Sequence, residues 1–243
     1  MSNEIIYKRK SIRKYHPDKL DAAMLDKVRA QIDKLVPLYP SIQYSVEIAD
    51  NARGIFGIKA PHYLCFYSEE KEGFNENIGF VGQQMDLFLS GIGLGAVWLG
   101  MSKPDGKSSQ TPESAYAGQG LSFIIAIGFG KPAEPLYRDV SEFKRKPLDE
   151  ISEGIDKRLE AARLAPSGMN TQGWYFVADD GKIHCYRKKT KLLVGLFAGD
   201  MGAIDMGIAL CHIAEQSDEF RFAKEVNIPE RKGYIYSGTV QSR

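Results

Sequence analysis

Three short segments of this 243-residue chain hold residue types that could do chemistry. The first is Lys8-Arg9-Lys10-Ser11-Ile12-Arg13-Lys14, five cations and a hydroxyl within seven residues. In an extended or irregular backbone, Arg9, Ser11 and Arg13 project to one side by period-two alternation. A guanidinium donates a planar fork and a serine hydroxyl adds a short donor, so the set suits a phosphate monoester. The same composition also suits a solvated basic tail, a nucleic-acid contact or an anionic membrane surface.

The second segment is Ala165-Pro166-Ser167-Gly168-Met169-Asn170-Thr171-Gln172-Gly173-Trp174. Proline stops a helix there, and the small and amide-bearing residues after it could offer backbone N–H groups and the Asn170 and Gln172 amides to a planar, hydrogen-bonding ring. A plain turn before a buried tryptophan reads equally well. The third segment, Gly91-Ile-Gly-Leu-Gly-Ala-Val-Trp-Leu-Gly100, superficially resembles a dinucleotide glycine fingerprint. That fingerprint needs a strand before it and a helix after it, and here the order is helix then strand, so a Rossmann reading fails. Close-spaced glycines still let a backbone approach something flat. His16, His62, His184 and His212 are isolated, with His212 just past an apolar stripe and read as packing, and no Ser/His/Asp spacing supports a hydrolase. No side chain is assigned as catalytic, and an enzyme without acid-base machinery points to a cofactor that brings its own chemistry.

The elements that must position these segments follow from periodicity. Leu25, Val28, Ile32 and Leu35 recur at helical spacing behind Asp21, a candidate N-cap. Ile42–Ile48 and Pro61–Tyr67 read as strands. Val81, Met85, Phe88, Leu89 and Ile92 form a broad apolar helix face, ended by Gly91, Gly93 and Gly95. Leu121–Phe129 is a continuous apolar run that predicts a central strand, and Lys131–Pro147 reads as a Pro-rich connector. The order then recurs. Ile155, Leu159 and Ala162 form a helical stripe stopping at Pro166, and Trp174–Ala178 and Ile183–Arg187 flank Asp179-Asp180-Gly181 as a hairpin. Ile204, Ile208 and Cys211 mark a helix, and Tyr234–Val240 a last strand. Helix, strand pair, glycine-containing helix and strand thus occur once before residue 150 and once after. Alternation of this kind also arises in α+β domains without internal repetition.

Composition bounds the rest. With 32 basic and 31 acidic side chains, net charge +1 and 43% hydrophobic content, the chain is an ordinary globular one. The charge balance argues against a dedicated nucleic-acid binder, and nothing reads as a signal peptide or membrane span. Cys65, Cys185 and Cys211 are too scattered for a disulfide framework, and no Cys/His spacing suits a metal, so a reduced, cytoplasmic setting is expected.

Taken together, these segments resemble the FMN-dependent nitroreductase family. Arg9-Lys-Ser-Ile-Arg13 is similar to its opening Arg-x-Ser-x-Arg element, and Pro166-Ser-Gly-Met-Asn-Thr-Gln-Gly-Trp174 to its Pro-Ser-x-x-Asn-x-Gln-Pro-Trp loop, with Gly173 in place of a proline. Gly93-Leu-Gly-Ala-Val-Trp-Leu-Gly100 is similar to its Gly-Leu-Gly turn and strand, and Arg145-Lys-Pro-Leu-Asp-Glu150 to its late Arg-x-Pro segment. The order differs: the Pro-Ser loop lies downstream of the Gly-Leu-Gly turn, and at its usual place stands the poor match Val36-Pro-Leu-Tyr-Pro-Ser-Ile-Gln43. Family members are homodimers whose FMN lies between subunits, one giving the Arg-Ser and Gly-Leu-Gly elements and the other the Pro-Ser loop.

The resemblance therefore implies an α+β, nitroreductase-like fold of two degenerate, related subdomains in one chain, 1–150 and 151–243, forming an intramolecular pseudo-dimer with one flavin site. This is the fused pseudo-dimer arrangement. By the same resemblance, Arg9, Lys10, Ser11 and Arg13 grip the FMN phosphate and ribityl chain with help from Arg145. The backbone of Val97, Trp98, Leu99 and Gly100 lines the isoalloxazine edge, and Pro166, Ser167 and Asn170 approach from the other half. The implied activity is that of an oxidoreductase passing electrons from NADH or NADPH to a nitroaromatic, quinone or similar acceptor. A flavin-binding or sensing protein without turnover, and a flavin-fragmenting enzyme, are the alternatives. No metal, nucleic acid or membrane partner is expected, and association into a homodimer is left open.

Overall fold

A computed structural model describes residues 2–54, 57–104, 116–189 and 200–241. Its centre is a pair of crossing helices, α3 (Phe74–Gly91) and α6 (Met201–Ala214), each nearly all buried. Such all-round burial needs apolar cover on every side. Two antiparallel sheets supply it. One has the order β1 (Tyr44–Ala49), β3 (His62–Ser68), β6 (Ser122–Gly130), β4 (Gly95–Leu99). The other runs β8 (Trp174–Asp179), β9 (Lys182–Lys188), β11 (Tyr234–Gln241), β10 (Arg221–Ala223). A two-residue strand, β7 (Ser152–Glu153), joins the second sheet in parallel beside β8. Leu64, Phe66, Ile125, Ile127 and Phe129 from the first sheet and Trp174, Phe176, Ile183, Cys185 and Val240 from the second share one buried core with the helix pair. A smaller cluster, with Tyr63, Cys65, Tyr67, Val97 and Leu99, covers the far face of the first sheet. The remaining pieces are α1 (Ser2–Ile6), α2 (Ala22–Ile32), α4 (Leu148–Ile151), α5 (Leu159–Leu164) and the pairing of β2 (Ala52–Arg53) with β5 (Lys103–Pro104).

The two sheets follow the same path. In each, the first two strands of the half pair directly, the chain passes through the buried helix, and the last strand lies beside the second. Both carry a bulge at the same place. The register steps between Phe66 and Tyr67, leaving Ile124 of β6 unmatched, and between Cys185 and Tyr186, leaving Ser237 of β11 unmatched. The helix crossing is also reciprocal. A Cβ on Gly79 would lie 2.1 Å from the Ile204 carbonyl oxygen, and one on Gly207 would lie 2.0 Å from that of Glu76. In each helix the contacted carbonyl stands three residues before the glycine, as a two-fold axis between the helices requires.

Local chemistry explains most boundaries. The Asp21 carboxylate accepts the Met24 N–H at 2.8 Å, capping α2. The hairpin turn at Asp180 and Gly181 has φ of 43° and 74°, both left-handed, which matches the twist of its strands. Leu35 and Ile92, expected in the stripes of α2 and α3, fall just beyond their ends, and a further expectation fails. Ile155 is fully exposed and lies outside α5, because Asp156 accepts the Arg158 N–H at 2.9 Å and turns the chain before the helix begins. The strands β7 and β10 and the helix α1 were not foreseen, being too short to show a period. No helix among the described residues is long and apolar enough to cross a membrane.

A methyl group at the crossing forces the helices apart. Gly207→Ala is expected to lower the unfolding free energy by about 2–3 kcal/mol, as overpacking does. Gly173→Ala, whose Cβ would meet only Lys188 Cβ at 3.8 Å, should change it by less than about 0.5 kcal/mol. Urea denaturation measures both, and equal effects would contradict the close crossing.

Candidate functional site

The segment Lys8–His16 is not a loose tail. Ser11 bridges Ala96 of β4 and the Ile12 N–H donates to the Ala96 carbonyl at 2.9 Å, so the segment covers the open edge of the first sheet. Ile12 is fully buried, and Gly95 is required beneath it, since a Cβ there would lie 2.7 Å from the isoleucine side chain. On its other side runs the connector. The Ala133 N–H donates to Lys14 O at 2.9 Å, the Arg138 N–H to Lys8 O at 2.9 Å, and Glu134 accepts the backbone N–H groups of Arg13 and Lys14. Arg9 and Ser11 face the same side, as alternation predicts, with Arg9 Nη2 donating to Ser11 Oγ at 3.3 Å.

Arg9 has no exposed surface. Its Nε lies 3.0 Å from Asp86 Oδ2 of α3, an ion pair whose angle falls short of a hydrogen bond, and Arg9 Nη1 and Asp86 Oδ1 lack partners among the described residues. Burial raises the Asp86 pKa while Arg9 opposes the rise. A polar chain continues from this pair between the helices. Gln83 Nε2 donates to Asp86 Oδ2 at 3.1 Å and reaches His212 Nε2 at 3.0 Å, while Trp98 Nε1 donates to Gln83 Oε1 at 3.2 Å. His212 Nδ1 lies 2.8 Å from Ala161 O and must carry the proton there, so Nε2 accepts from Gln83 and the ring is neutral. Burial, with the charges of Arg9 and Arg145, pushes the His212 pKa down to about 3.

From the second half comes the Pro166–Gln172 loop. Met169, Asn170 and Gln172 have φ of 49°, 58° and 49°, left-handed values that only local bonding sustains in residues with a Cβ. The bonds are present. Asp205 Oδ1 of α6 accepts the Gly168 N–H at 2.9 Å, Ser167 Oγ accepts the Gln172 N–H at 3.0 Å, and Gln172 Oε1 accepts the Lys146 N–H at 2.7 Å. Arg145 Nη1 donates to Asn170 Oδ1 at 2.6 Å, and Asn170 Nδ2 donates to Lys144 O at 2.8 Å. The tail of the first half thus grips the loop of the second.

Contacts tie several of the expected residues together. Arg138 Nε donates to Arg9 O at 3.2 Å, the Arg138 and Arg145 guanidiniums lie 3.8 and 5.6 Å from the centre of the Phe143 ring, and Arg145 holds Asn170, so the Arg-Ser element and the Pro-Ser loop are linked through the connector. The Arg145 pKa is lowered to about 10 by burial and then by Arg138, Arg9 and Arg163. Lys10 and Ser11 are half-buried and Arg13 is exposed, while Pro166 is buried and Ser167 half-buried. Val97 and Leu99 bury their side chains in the outer cluster, and the Trp98 ring packs on Gly82, whose Cβ would lie 2.4 Å from it. Only the backbone of this stretch is left to face a ligand; at Gly100 the backbone passes Met201. Sequence reasoning missed Arg138, which lies in the aperiodic connector, and the roles of Asp86, Gln83, His212 and Asp205. Asp86 carried a usable signal: a lone carboxylate within the most apolar stretch of the chain. A separate concavity of about 410 Å³ on the outer face of the second sheet, lined by Glu153, His184, Tyr186 and Arg231, lies away from these residues. Among the described residues no cluster of three or more His, Cys, Asp or Glu could hold a metal ion.

Comparison with known proteins gives a family and a fold. The sequence matches the model of a family described as "Putative TM nitroreductase" over residues 3–217. Among solved structures, a putative nitroreductase from Thermotoga maritima is similar with TM-score 0.64 and 19% identity, covering 98% of this chain and 91% of that one. A nitroreductase family protein from Clostridium difficile 630 gives 0.47 and 19%, covering 61% of this chain and 94% of its own. An FMN-dependent nitroreductase from C. difficile R20291 gives 0.42 and 18%, covering 59% and 96%. At these identities the likeness is one of fold. No curated protein matches.

Two stability tests follow from the buried charges. Asp86→Asn leaves the Arg9 charge uncompensated and should cost about 3–5 kcal/mol, whereas Arg9→Met with Asp86→Leu should lie close to wild type. A double variant as unstable as Asp86→Asn would contradict the pairing. For Asp205, burial raises the folded pKa to about 7 from 3.8, opposed by the bonds from Gly168 and Thr171. The folded state then holds a proton that the unfolded state releases, so this contribution to stability is lost as pH rises from about 4 to 7. Asp205→Asn should remove that slope, seen by chemical denaturation across the range, and an unchanged slope would contradict the assignment.

Proposed function

The chain belongs to the "Putative TM nitroreductase" family, and from that premise we propose that it is an FMN-dependent oxidoreductase passing electrons from NADH or NADPH to a nitroaromatic, quinone or similar small acceptor. The observation that supports this reading is the link, from opposite halves of one chain, between the Arg9–Ser11 element and the Asn170 loop through Arg138 and Arg145, both over the Phe143 ring. The residues fit a flavin mononucleotide. Arg145 Nε is a buried polar atom without a partner among the described residues, the condition expected where an anionic ligand completes the bonding.

FMN, when bound, would supply two-electron acceptance from a nicotinamide and transfer to the acceptor. The chain's own residues bind and orient. Lys10, Ser11, Arg13 and Arg145, with Arg9 behind them, would hold the phosphate and ribityl end. Period-two alternation turns the backbone N–H and C=O of Trp98 to the same side as those of Ala96, whose carbonyl points off the sheet edge to Ile12. The edge of Val97–Gly100 therefore offers fixed donors and acceptors to a flat ring. Pro166, Ser167 and Asn170 would close the site from the second half and keep water out. The cationic surroundings favour a negative charge on the ligand, and no side chain is needed as a general acid.

The pseudo-dimer reading, with halves 1–150 and 151–243, rests on the shared strand order, the matched bulges and the reciprocal glycine crossing. The loops hang alike as well. Asn77 Oδ1, two residues before Gly79, accepts the Tyr39 N–H at 3.0 Å, as Asp205, two before Gly207, accepts that of Gly168. At this second, equivalent place the Tyr39 and Phe222 rings meet at 6.1 Å, filling the space with protein, and one FMN per chain is expected.

Purified protein reconstituted with FMN should bind it at one per chain, by absorbance of the released cofactor, and should oxidise NADH or NADPH when a quinone or nitroaromatic is added. Tight flavin binding without turnover across an acceptor panel would favour a sensing protein, and a colourless protein that ignores added FMN would overturn the reading.

A further inference from the structure

The arginines of the site do not contribute charge equally. Arg145 is held below its ordinary pKa by burial and by Arg138, Arg9 and Arg163, and Arg138 by burial and by Arg9 and Arg13. Such mutual repulsion is sustained by the fold and relieved by an anion. Pairing each guanidinium with its carboxylate shows where the excess sits. Arg9 has Asp86, and Arg163 has Glu160. Glu134 sits among Lys10, Lys14 and the backbone N–H of Arg13. Neither Arg138 nor Arg145 has a carboxylate within 4.0 Å among the described residues, and Glu142 acts on Arg138 only from a distance. Arg13 also lacks a carboxylate but is exposed and screened by water, so two half-buried guanidiniums remain uncompensated, and a phosphate monoester carries about −1.5 to −2 at pH 7.

Geometry keeps those two near each other, at most about 9.4 Å apart. The Arg138 and Arg145 guanidiniums lie 3.8 and 5.6 Å from the centre of one buried ring, Phe143. The turn between them is fixed by a capping box, in which Asp139 accepts the Ser141 N–H and Glu142 accepts the Asp139 N–H. Arg138 Nε donates to Arg9 O at 3.2 Å, tying it to the Arg-Ser element, while its two terminal nitrogens have no protein partner among the described residues. Arg145 spends its terminal nitrogens on Asn170 Oδ1 and Leu164 O and keeps Nε unpartnered.

We propose that Arg138 is an anion-binding residue and that, with Arg145 on the Phe143 ring, it supplies the charge that holds the mononucleotide phosphate, Arg9 being the buried, Asp86-neutralised wall behind them. This rests on the FMN reading above. Dissociation constants of FMN and of riboflavin, which has the ring but no phosphate, separate the two claims. Arg138→Gln should weaken FMN roughly 10- to 100-fold, the scale of a lost charge-assisted bond, and change riboflavin by less than about twofold. Arg138→Lys should recover part of the loss. Equal weakening of both ligands would make Arg138 merely structural, and unchanged FMN affinity would exclude it from the site; either result overturns the proposal. If wild-type protein binds neither flavin, the FMN reading falls, and inorganic phosphate decides the rest. A rise in melting temperature with phosphate that Arg138→Gln abolishes sustains the anion site, and its absence in wild type overturns that too.

Discussion

The crossing of α3 and α6 at Gly79 and Gly207 is the constraint from which the rest of the molecule follows. Each glycine admits a carbonyl of the other helix to a distance no Cβ would allow, so the helices sit closer than side chains normally permit. Each helix also carries one sheet on its outer side and hangs one loop from the side chain two residues before the glycine. Fixing the crossing therefore fixes where the sheet edge of one half stands relative to the loop of the other. The proposed site, divided between two halves, depends on that relation.

Electrostatics then makes the two equivalent places unequal. Along one side of the crossing runs the chain Arg9–Asp86–Gln83–His212, buried polar groups that a neutral histidine and a carboxamide complete without a second net charge. Around it the connector, residues 131–147, brings five basic side chains against three carboxylates. Burial of like charges is costly and is tolerated where a ligand of opposite sign completes the balance. The other place has rings instead, Tyr39 against Phe222, and the arginine beside it, Arg187, is paired with both Glu76 and Asp200. The proposed single flavin site is a consequence of this division, one half of the crossing kept polar and the other packed shut.

Much of the frame was legible because burial leaves a period. The stripe through Val81, Met85 and Leu89, the apolar run through Ile125 and Ile127, and the Asp-Gly turn each predicted the element found, since each feature is local. The repeat of element order was visible too, although its geometric content, the matched bulges and reciprocal crossing, needed coordinates. Glycines at 79 and 207 carry no sequence mark that separates them from any other helical glycine. The Arg9–Ser11 alternation predicted which side chains share a side, but not that Arg9 would be buried against a carboxylate 77 positions away in the chain. Arg138 was invisible, because an irregular connector has no period and its meaning comes only from the ring and backbone it meets. Ile155 misled, since an apolar residue at helical spacing still yields to an Asx turn that ends the pattern before it.

The central claim is that one mononucleotide lies across the two halves. A crystal structure of the protein with FMN tests it most directly. The account predicts phosphate oxygens within hydrogen-bond distance of Arg138 and Arg145, and the ring between the Val97–Gly100 edge and the Pro166–Asn170 loop. A flavin seated wholly on one half, such as in the concavity beside His184 and Arg231, or a second flavin at Tyr39 and Phe222, would contradict it.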